Sequence, residues 1–319
     1  MQATQEKTNE TLLNQIAKTY QLALPDLIFK AQVIHREHHN PNEVQFCTLS
    51  SIKTGACPED CSYCSQSARY DTGLKYEPLL NKEEIMSQAK EAQDHGSTRF
   101  CMGAAWREIK DGDDFNLVLD LVKEVKEMGM EPCVTLGMLN KDQALKLKEA
   151  GLHSYNHNID TSKEHYSKII STRTFEDRLE TISNVQEAGI NVCSGGILGL
   201  GETREDRWSF LESLAALDPQ PSSVPINVLV PIAGTPLEET EPVDKFELVR
   251  TVATARIFMP KARVRLSAGR LTMSDELQAL CFIAGANSIH TGEKLLTTAL
   301  AGENKDRELI EKLGMEVLK

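Results

Sequence analysis

The sequence predicts an α/β fold, a (β/α)8 TIM-type barrel carrying an N-terminal helical extension, and three observations support it. Short β-rich runs alternate with helical stretches along most of the 319 residues. Eight such runs can be counted, and eight parallel strands, each followed by a helix, close into a barrel of roughly 250 residues. The joints repeat one signal, since Glu127-Met128-Gly129, Glu149-Ala150-Gly151 and Glu187-Ala188-Gly189 each end a helix and lead into a strand. Glycine there takes the left-handed C-cap conformation at no steric cost. A doubly wound sheet is the competing arrangement. No low-complexity stretch or flexible linker marks a boundary between domains.

The chain divides into an N-terminal helical extension, residues 1–40, and a barrel with a C-terminal tail, residues 41–319. In the extension Leu12, Leu13, Ile16 and Tyr20 form one apolar stripe, and Leu27, Ile28, Ala31 and Ile34 form a second behind Pro25 at a first helical position. Asn40-Pro41 ends it. Strands are expected at 46–53, 99–105, 131–137, 153–160, 191–198, 224–232, 263–268 and 287–291. Helices are expected near 83–95, 115–128, 141–150, 175–188, 204–217, 244–258 and 274–284.

Parity along the strands separates two faces. Phe100 and Met102 oppose Cys101, Gly103 and Ala105; Val134 and Leu136 oppose Cys133, Thr135 and Gly137; Tyr155 and Ile159 oppose Asn156, Asn158 and Asp160. Cys193 alternates with Val192, Asn227 with Ile226, Val228 and Val230, and Arg263, Arg265 and Ser267 with Val264 and Leu266. Helices cover the outside of a barrel, so the apolar parity faces outward and the polar one inward. An ordinary barrel interior is filled with branched apolar side chains. Each polar group left unpaired inside costs about 1–3 kcal/mol, so this interior implies bound ligands that satisfy it.

Composition narrows the function classes. Lys and Arg total 35 against 47 Asp and Glu, a net charge of −12, with no basic run, which argues against nucleic acid as a partner. Apolar stretches fall short of the ~20 residues needed to cross a bilayer, and MQATQEKTNE resembles neither a secretory nor a transit leader. A cytoplasmic protein with no membrane association is expected. Eight cysteines are too few for a disulfide scaffold of this length, and three cluster at 57, 61 and 64. A reducing compartment and metal chemistry fit better.

Cys57-Pro-Glu-Asp-Cys61-Ser-Tyr-Cys64 follows the first strand. Iron–sulfur clusters are held by Cys thiolates, four for a closed cubane, so three in one loop leave an iron open to a cofactor. A structural zinc knuckle is the alternative, but it needs a fourth ligand, and the next Cys or His, His95, is about thirty positions away. A fully ligated electron-carrier cluster would need a fourth nearby cysteine too. A second constellation joins Cys101, Cys133 and Cys193, on three strands at matching depth. Cys133 and Cys193 lie four residues after Gly129 and Gly189, and Cys101 lies five after Gly96. Arg265 shares their inward parity.

The CxxxCxxC spacing with Tyr63 before its last cysteine resembles the signature of the radical S-adenosylmethionine (SAM) superfamily. There the open iron of a [4Fe–4S] cluster chelates SAM, and one-electron reduction cleaves SAM to methionine and a 5′-deoxyadenosyl radical. Further stretches are similar to one family within it, the biotin synthases: residues 46–67, YNHNIDTS from Tyr155, CSGGILGLGET from Cys193, VPINVLVPIAGTP from Val224, VRLSAGR from Val264 and CFIAGANSI from Cys281.

This resemblance implies that Cys57, Cys61 and Cys64 hold the [4Fe–4S] cluster, and that Cys101, Cys133, Cys193 and Arg265 hold a [2Fe–2S] cluster that donates sulfur. The reaction implied abstracts hydrogen at C9 and C6 of dethiobiotin and inserts sulfur between them to form biotin. The resemblance also implies a flavodoxin-type electron donor and a homodimer. The rival within enzymes is another radical SAM lyase or maturase, which would not require the second constellation.

The resemblance places Tyr63, Asn158, Asp160 and Arg178 at SAM, and Asn158, Asn227, Thr297 and Thr298 at the substrate. Each has a plainer reading. Asn158 and Asp160 could satisfy each other, Arg178 could be a solvated helix-face residue, Asn227 could be interior structure, and Thr297-Thr298 could be an exposed loop pair. Cys281 on an apolar stripe, and Cys47, read as core. The histidines at 35, 38 and 39 read as a solvated helix face. Gly195-Gly196 and Gly199 to Gly201 are expected to bring backbone close to the SAM adenosine.

Overall fold

The structure, a computed structural model, describes residues 10–319. The leader expectation rests mainly on residues 1–9, outside the described residues. Two helices, α1 (Leu12–Tyr20) and α2 (Leu24–His38), precede β1 (Glu43–Lys53). Then come α3 (Lys82–Asp94), β2 (Arg99–Ala104), α4 (Asp113–Glu127), β3 (Glu131–Thr135), α5 (Lys141–Ala150), β4 (Ser154–Asn156), α6 (Lys163–Ile169) and α7 (Phe175–Glu187). The second half holds β5 (Asn191–Cys193), β6 (Gly196–Leu198), α8 (Arg204–Ala215), β7 (Ser223–Val228), α9 (Lys245–Phe258), β8 (Arg263–Leu266), α10 (Asp275–Ile283) and β9 (Ser288–Thr291). A hairpin of β10 (Lys294–Leu295) and β11 (Thr298–Ala299), then α11 (Glu303–Lys312) and β12 (Glu316–Val317), complete the chain.

The strands run in the order β1-β2-β3-β4-β5-β7-β8-β9, and β9 pairs back onto β1. These ladders are parallel. Closure by β1 and β9 excludes the doubly wound alternative. The expected fifth strand, 191–198, is split, with β5 and β6 both pairing with β7. Gly195 lies at the split, where a Cβ would collide with the Pro225 carbonyl, and one on Gly196 would meet the Asp160 carbonyl. These two glycines make room for the barrel's own backbone.

The outer parity of the strands forms the core. Phe100, Met102, Val134, Leu136, Tyr155, Val224 and Val264 are sealed between barrel and helices. Each such side chain contributes about 1.5–3 kcal/mol of burial. Capping boxes at Asn81/Glu84, Asn140/Gln143, Thr174/Asp177 and Thr203/Asp206 start α3, α5, α7 and α8. They stop the loops that leave the strands' C-terminal ends at defined points.

Four expectations are corrected. Parity fails at the end of β7, where Val228 and the following Leu229 and Val230 all border the central cavity. The 153–160 run keeps a ladder only over β4; beyond it Asp160 takes φ +67°. His35 is not solvated: it is fully buried, and burial with the nearby Arg256 charge pushes its pKa down to about 3. His39 is half-buried beside the Pro260 carbonyl, at 3.2 Å, while His38 is exposed. The tail is not a plain tail, for α11 packs back and β12 adds a parallel strand to β1.

Candidate active site

The cysteine loop is built by acids that lie between its cysteines. Glu59 is buried and takes an ion pair from Arg107 at 3.0 Å, with Arg173 at 3.7 Å. Asp60 accepts from the Ser171 and Thr172 amides at 2.9 and 3.1 Å, and from Thr172 Oγ1 at 2.9 Å. Burial opposes the Asp60 charge, but the Ser171 and Thr172 hydrogen bonds win and hold its pKa at about 2. Main-chain bonds from Cys57 to the Gln66 carbonyl, 2.9 Å, and from Cys64 to that of Cys61, 2.9 Å, close the loop. Its three thiols border one cavity of about 300 Å3. Burial raises the Cys57 thiol pKa, and takes Cys61 up to about 11 and Cys64 up to about 12. A metal's charge is what would turn them into thiolates.

The cavity floor is the second constellation. Cys101 and Cys133 are register partners on β2 and β3, and Cys193 lies on β5 beyond β4. All three are buried and border the cavity. The Cys193 sulfur accepts from Asn156 Nδ2 at 3.3 Å and Arg265 Nη1 at 3.7 Å. The Cys101–Cys133 hydrogen bond and burial push the Cys133 thiol up. Arg265 Nε is fixed by Ser288 Oγ at 2.9 Å. Beneath lies a polar plug in which Arg99 Nε and Gln45 Nε2 both donate to Glu131 Oε2, at 2.8 and 3.1 Å. Arg263, expected inward, sits at this closed end near Glu131 and Arg99 rather than in the cavity. Arg265 Nη2 and Arg99 Nη1 are buried without partners among the described residues. Arg265 borders the cavity beside the Cys193 sulfur, so its free N–H donor suits an anionic group there. Cys47 also belongs here, its sulfur 3.5 Å from Ser288 Oγ, and stays outside the apolar cluster that holds Cys281.

The remaining predicted residues converge on the same cavity, which Tyr63, Asn158, Asp160, Arg178, Asn227, Thr297 and Thr298 all border. Arg178 is not a solvated helix residue. It is buried, donates to Tyr166 at 2.9 Å and pairs with Asp160 at 2.5 Å. Asn158 Oδ1 accepts from the Gly195 amide at 3.1 Å, leaving its amide nitrogen toward the cavity. Asn227 bridges backbone, donating to Gly196 O and accepting from Ala268 N, each at 3.0 Å. One N–H and one lone pair remain. Thr297 is held by Ser65 of the cysteine loop at 2.8 Å. Sequence reasoning missed Arg173, which borders the cavity with its Nη2 3.9 Å from the Cys61 sulfur, and also Glu59, Asp60 and Arg99. The acidic pair inside the cysteine motif, and the parity Arg99 shares with Cys101, were the available signals.

Breaking the Asp160–Arg178 pair should be costly. Arg178→Met leaves a buried carboxylate without its cation, so we expect a loss of about 3–5 kcal/mol in urea unfolding of the metal-free chain. Asp160→Asn/Arg178→Met should recover part of it; equal stability of wild type and Arg178→Met would contradict the pairing.

A barrel whose mouth carries a CxxxCxxC loop and whose interior is polar defines a radical SAM enzyme, and residues 51–214 match the Radical SAM superfamily. Residues 225–316 match the Biotin and Thiamin Synthesis associated domain. The chain belongs to the biotin synthase family. It is 58% identical over 304 residues to the biotin synthase of Gloeobacter violaceus, covering 95% of this chain and 96% of that one. Against that of Cytophaga hutchinsonii it is 56% identical over 311 residues, 98% and 92% of the two chains. In fold it is similar to methylornithine synthase, TM-score 0.81 at 20% identity over 98% and 95% of the chains. A maturase of the [FeFe]-hydrogenase gives 0.81 at 17%, over 96% and 71%.

Proposed function

We propose that this chain carries out the biotin synthase reaction, inserting sulfur between C6 and C9 of dethiobiotin. One observation carries the site assignment: six thiols and Arg265 border a single cavity as two separate sets, one in the loop and one on the barrel strands. Three thiolates in one loop with no fourth Cys or His beside them suit a cluster with one open iron better than a closed tetrahedral zinc site. We assign Cys57, Cys61 and Cys64 to a [4Fe–4S] cluster, and Cys101, Cys133, Cys193 and Arg265 to a [2Fe–2S] cluster.

When bound, these groups and SAM supply a carbon radical able to attack unactivated C–H bonds, together with the sulfur atom. The protein's own part is placement and exclusion of water. Asp160 and Arg178 present a carboxylate and a guanidinium on one wall, matched to the hydroxyls and carboxylate of SAM, with Tyr63 beside them. Asn158 and Asn227 offer amide groups toward a ureido ring, and Thr297 and Thr298 offer hydroxyls to the substrate carboxylate. The family resemblance supports a cytoplasmic homodimer served by a flavodoxin-type donor; no described helix is long and apolar enough to cross a membrane.

Production of biotin from dethiobiotin, SAM and dithionite by the anaerobically reconstituted chain tests the reading. SAM cleavage without biotin would favour another radical SAM activity.

Arg265 gives a sharper expectation. Its ordinary pKa of up to ~13.8 lies about 7 units above neutral pH, so at 1.36 kcal/mol per unit deprotonating it to bind iron costs on the order of 9 kcal/mol. Net gain from an Fe–N bond is therefore small, and the three thiolates dominate. Arg265→Met should assemble a [2Fe–2S] cluster with altered absorption and partial biotin formation. Complete loss of that cluster by Mössbauer spectroscopy would refute the estimate.

A further inference from the structure

β9 carries no cysteine, yet its inward side chains reach two members of the floor constellation. Ser288 holds Arg265. Two residues on, with the same parity, His290 reaches over β1 toward β2: its Cα is in register with Cys47, and Leu49 of β1 is in register with Cys101. The imidazole and the Cys101 sulfur border the same cavity, with only β1 between their strands. It is 7% exposed and borders the cavity.

Its surroundings fix its orientation. Ser267 Oγ on β8 lies 2.8 Å from Nδ1. Arg270 Nη1 donates to the His290 carbonyl at 2.6 Å and is itself paired with Asp306 of α11, so the backbone here is anchored from outside the barrel. When the Ser267 hydroxyl donates to Nδ1, that nitrogen is unprotonated, so the neutral ring carries its proton on Nε2. Nε2 is the nitrogen left to serve the sulfur.

We propose that His290 is a positioning residue for the second cluster: it donates an N–H to the Cys101 thiolate, with Ser267 setting its tautomer, and so orients that ligand and raises the cluster's reduction potential. The proposal rests on the reading of Cys101, Cys133 and Cys193 as the ligands of that cluster. Hydrogen bonds to ligating sulfurs draw negative charge from the irons and shift the potential upward. An enclosed, low-dielectric site strengthens them.

The test uses the full chain, reconstituted anaerobically with iron and sulfide. Wild type, His290→Phe, His290→Gln and Ser267→Ala are compared by resonance Raman in the Fe–S(Cys) region and by redox titration of the second cluster. His290→Phe should load both clusters but show shifted Fe–S(Cys) bands and a more negative midpoint. His290→Gln, which keeps an N–H donor, should return part of the way, and Ser267→Ala should shift less, with the same sign. Bands and midpoint of His290→Phe superimposable on wild type would overturn the proposal. So would failure of both His290 variants to load in a chain whose circular dichroism is native, since the role would then be packing; loading lost with Phe and regained with Gln supports a donor. Absence of a second cluster from wild type that still loads its cubane would instead sink the underlying ligand assignment.

Discussion

Cys61→Ala is expected to lose all reductive cleavage of SAM, with 5′-deoxyadenosine falling to the level of a no-enzyme control. The reason is local. Three thiols in one loop are the whole protein ligand set proposed for the SAM-binding cluster, and Cys61 is the most enclosed of the three, 6% exposed. The loop itself should survive the change, because Glu59 and Asp60 hold it through Arg107, Ser171 and Thr172. The cluster held by the strands should therefore still assemble and keep its own absorption, which separates lost ligation from lost folding. Wild-type rates of 5′-deoxyadenosine formation from this variant, measured chromatographically, would show the loop assignment to be wrong.

Cys133→Ala should show the opposite pattern: a reducible [4Fe–4S] cluster and continued SAM cleavage, but no biotin. Cys133 is fully buried on β3, in register with Cys101 and separated from Cys193 by β4. Its removal takes one thiolate from the floor while the loop over the mouth is untouched. Normal biotin yield from this variant would exclude a second cluster at these residues.

Much of this architecture could be read from the chain because two periodic signals agree. Alternation along Phe100 to Gly103 and Cys133 to Leu136 separated core from interior, and Gly129, Gly151 and Gly189, at φ +84°, +97° and +70°, ended helices where strands had to begin. The six cysteines and Arg265 proposed as cluster ligands stand out through that parity plus one short motif. What could not be read depends on partners distant in sequence. Arg178 looks like any helix-face arginine until Asp160, distant in the sequence pattern and in a left-handed conformation, gives it a buried counter-charge. His35 looks solvated because Arg36, Glu37 and His38 follow it, yet it is buried in the helix that packs on α9. The tail helix is mostly charged, ENKDRELIEK, and its short apolar pair, Leu309 and Ile310, gives little periodic signal, though both side chains are buried in the fold. His290 sits in an ordinary strand sequence; its meaning depends on Cys101, two strands away.

The claim that one cavity joins radical generation to sulfur delivery is tested most directly by isotopic origin. The chain is reconstituted anaerobically with heavy-isotope sulfide, freed of unbound sulfide, and given SAM, dithionite and dethiobiotin for a single turnover. Biotin carrying the heavy sulfur, with SAM cleaved in the same turnover, is the predicted result. Biotin whose sulfur is unlabelled while the second cluster remains fully labelled would contradict the account.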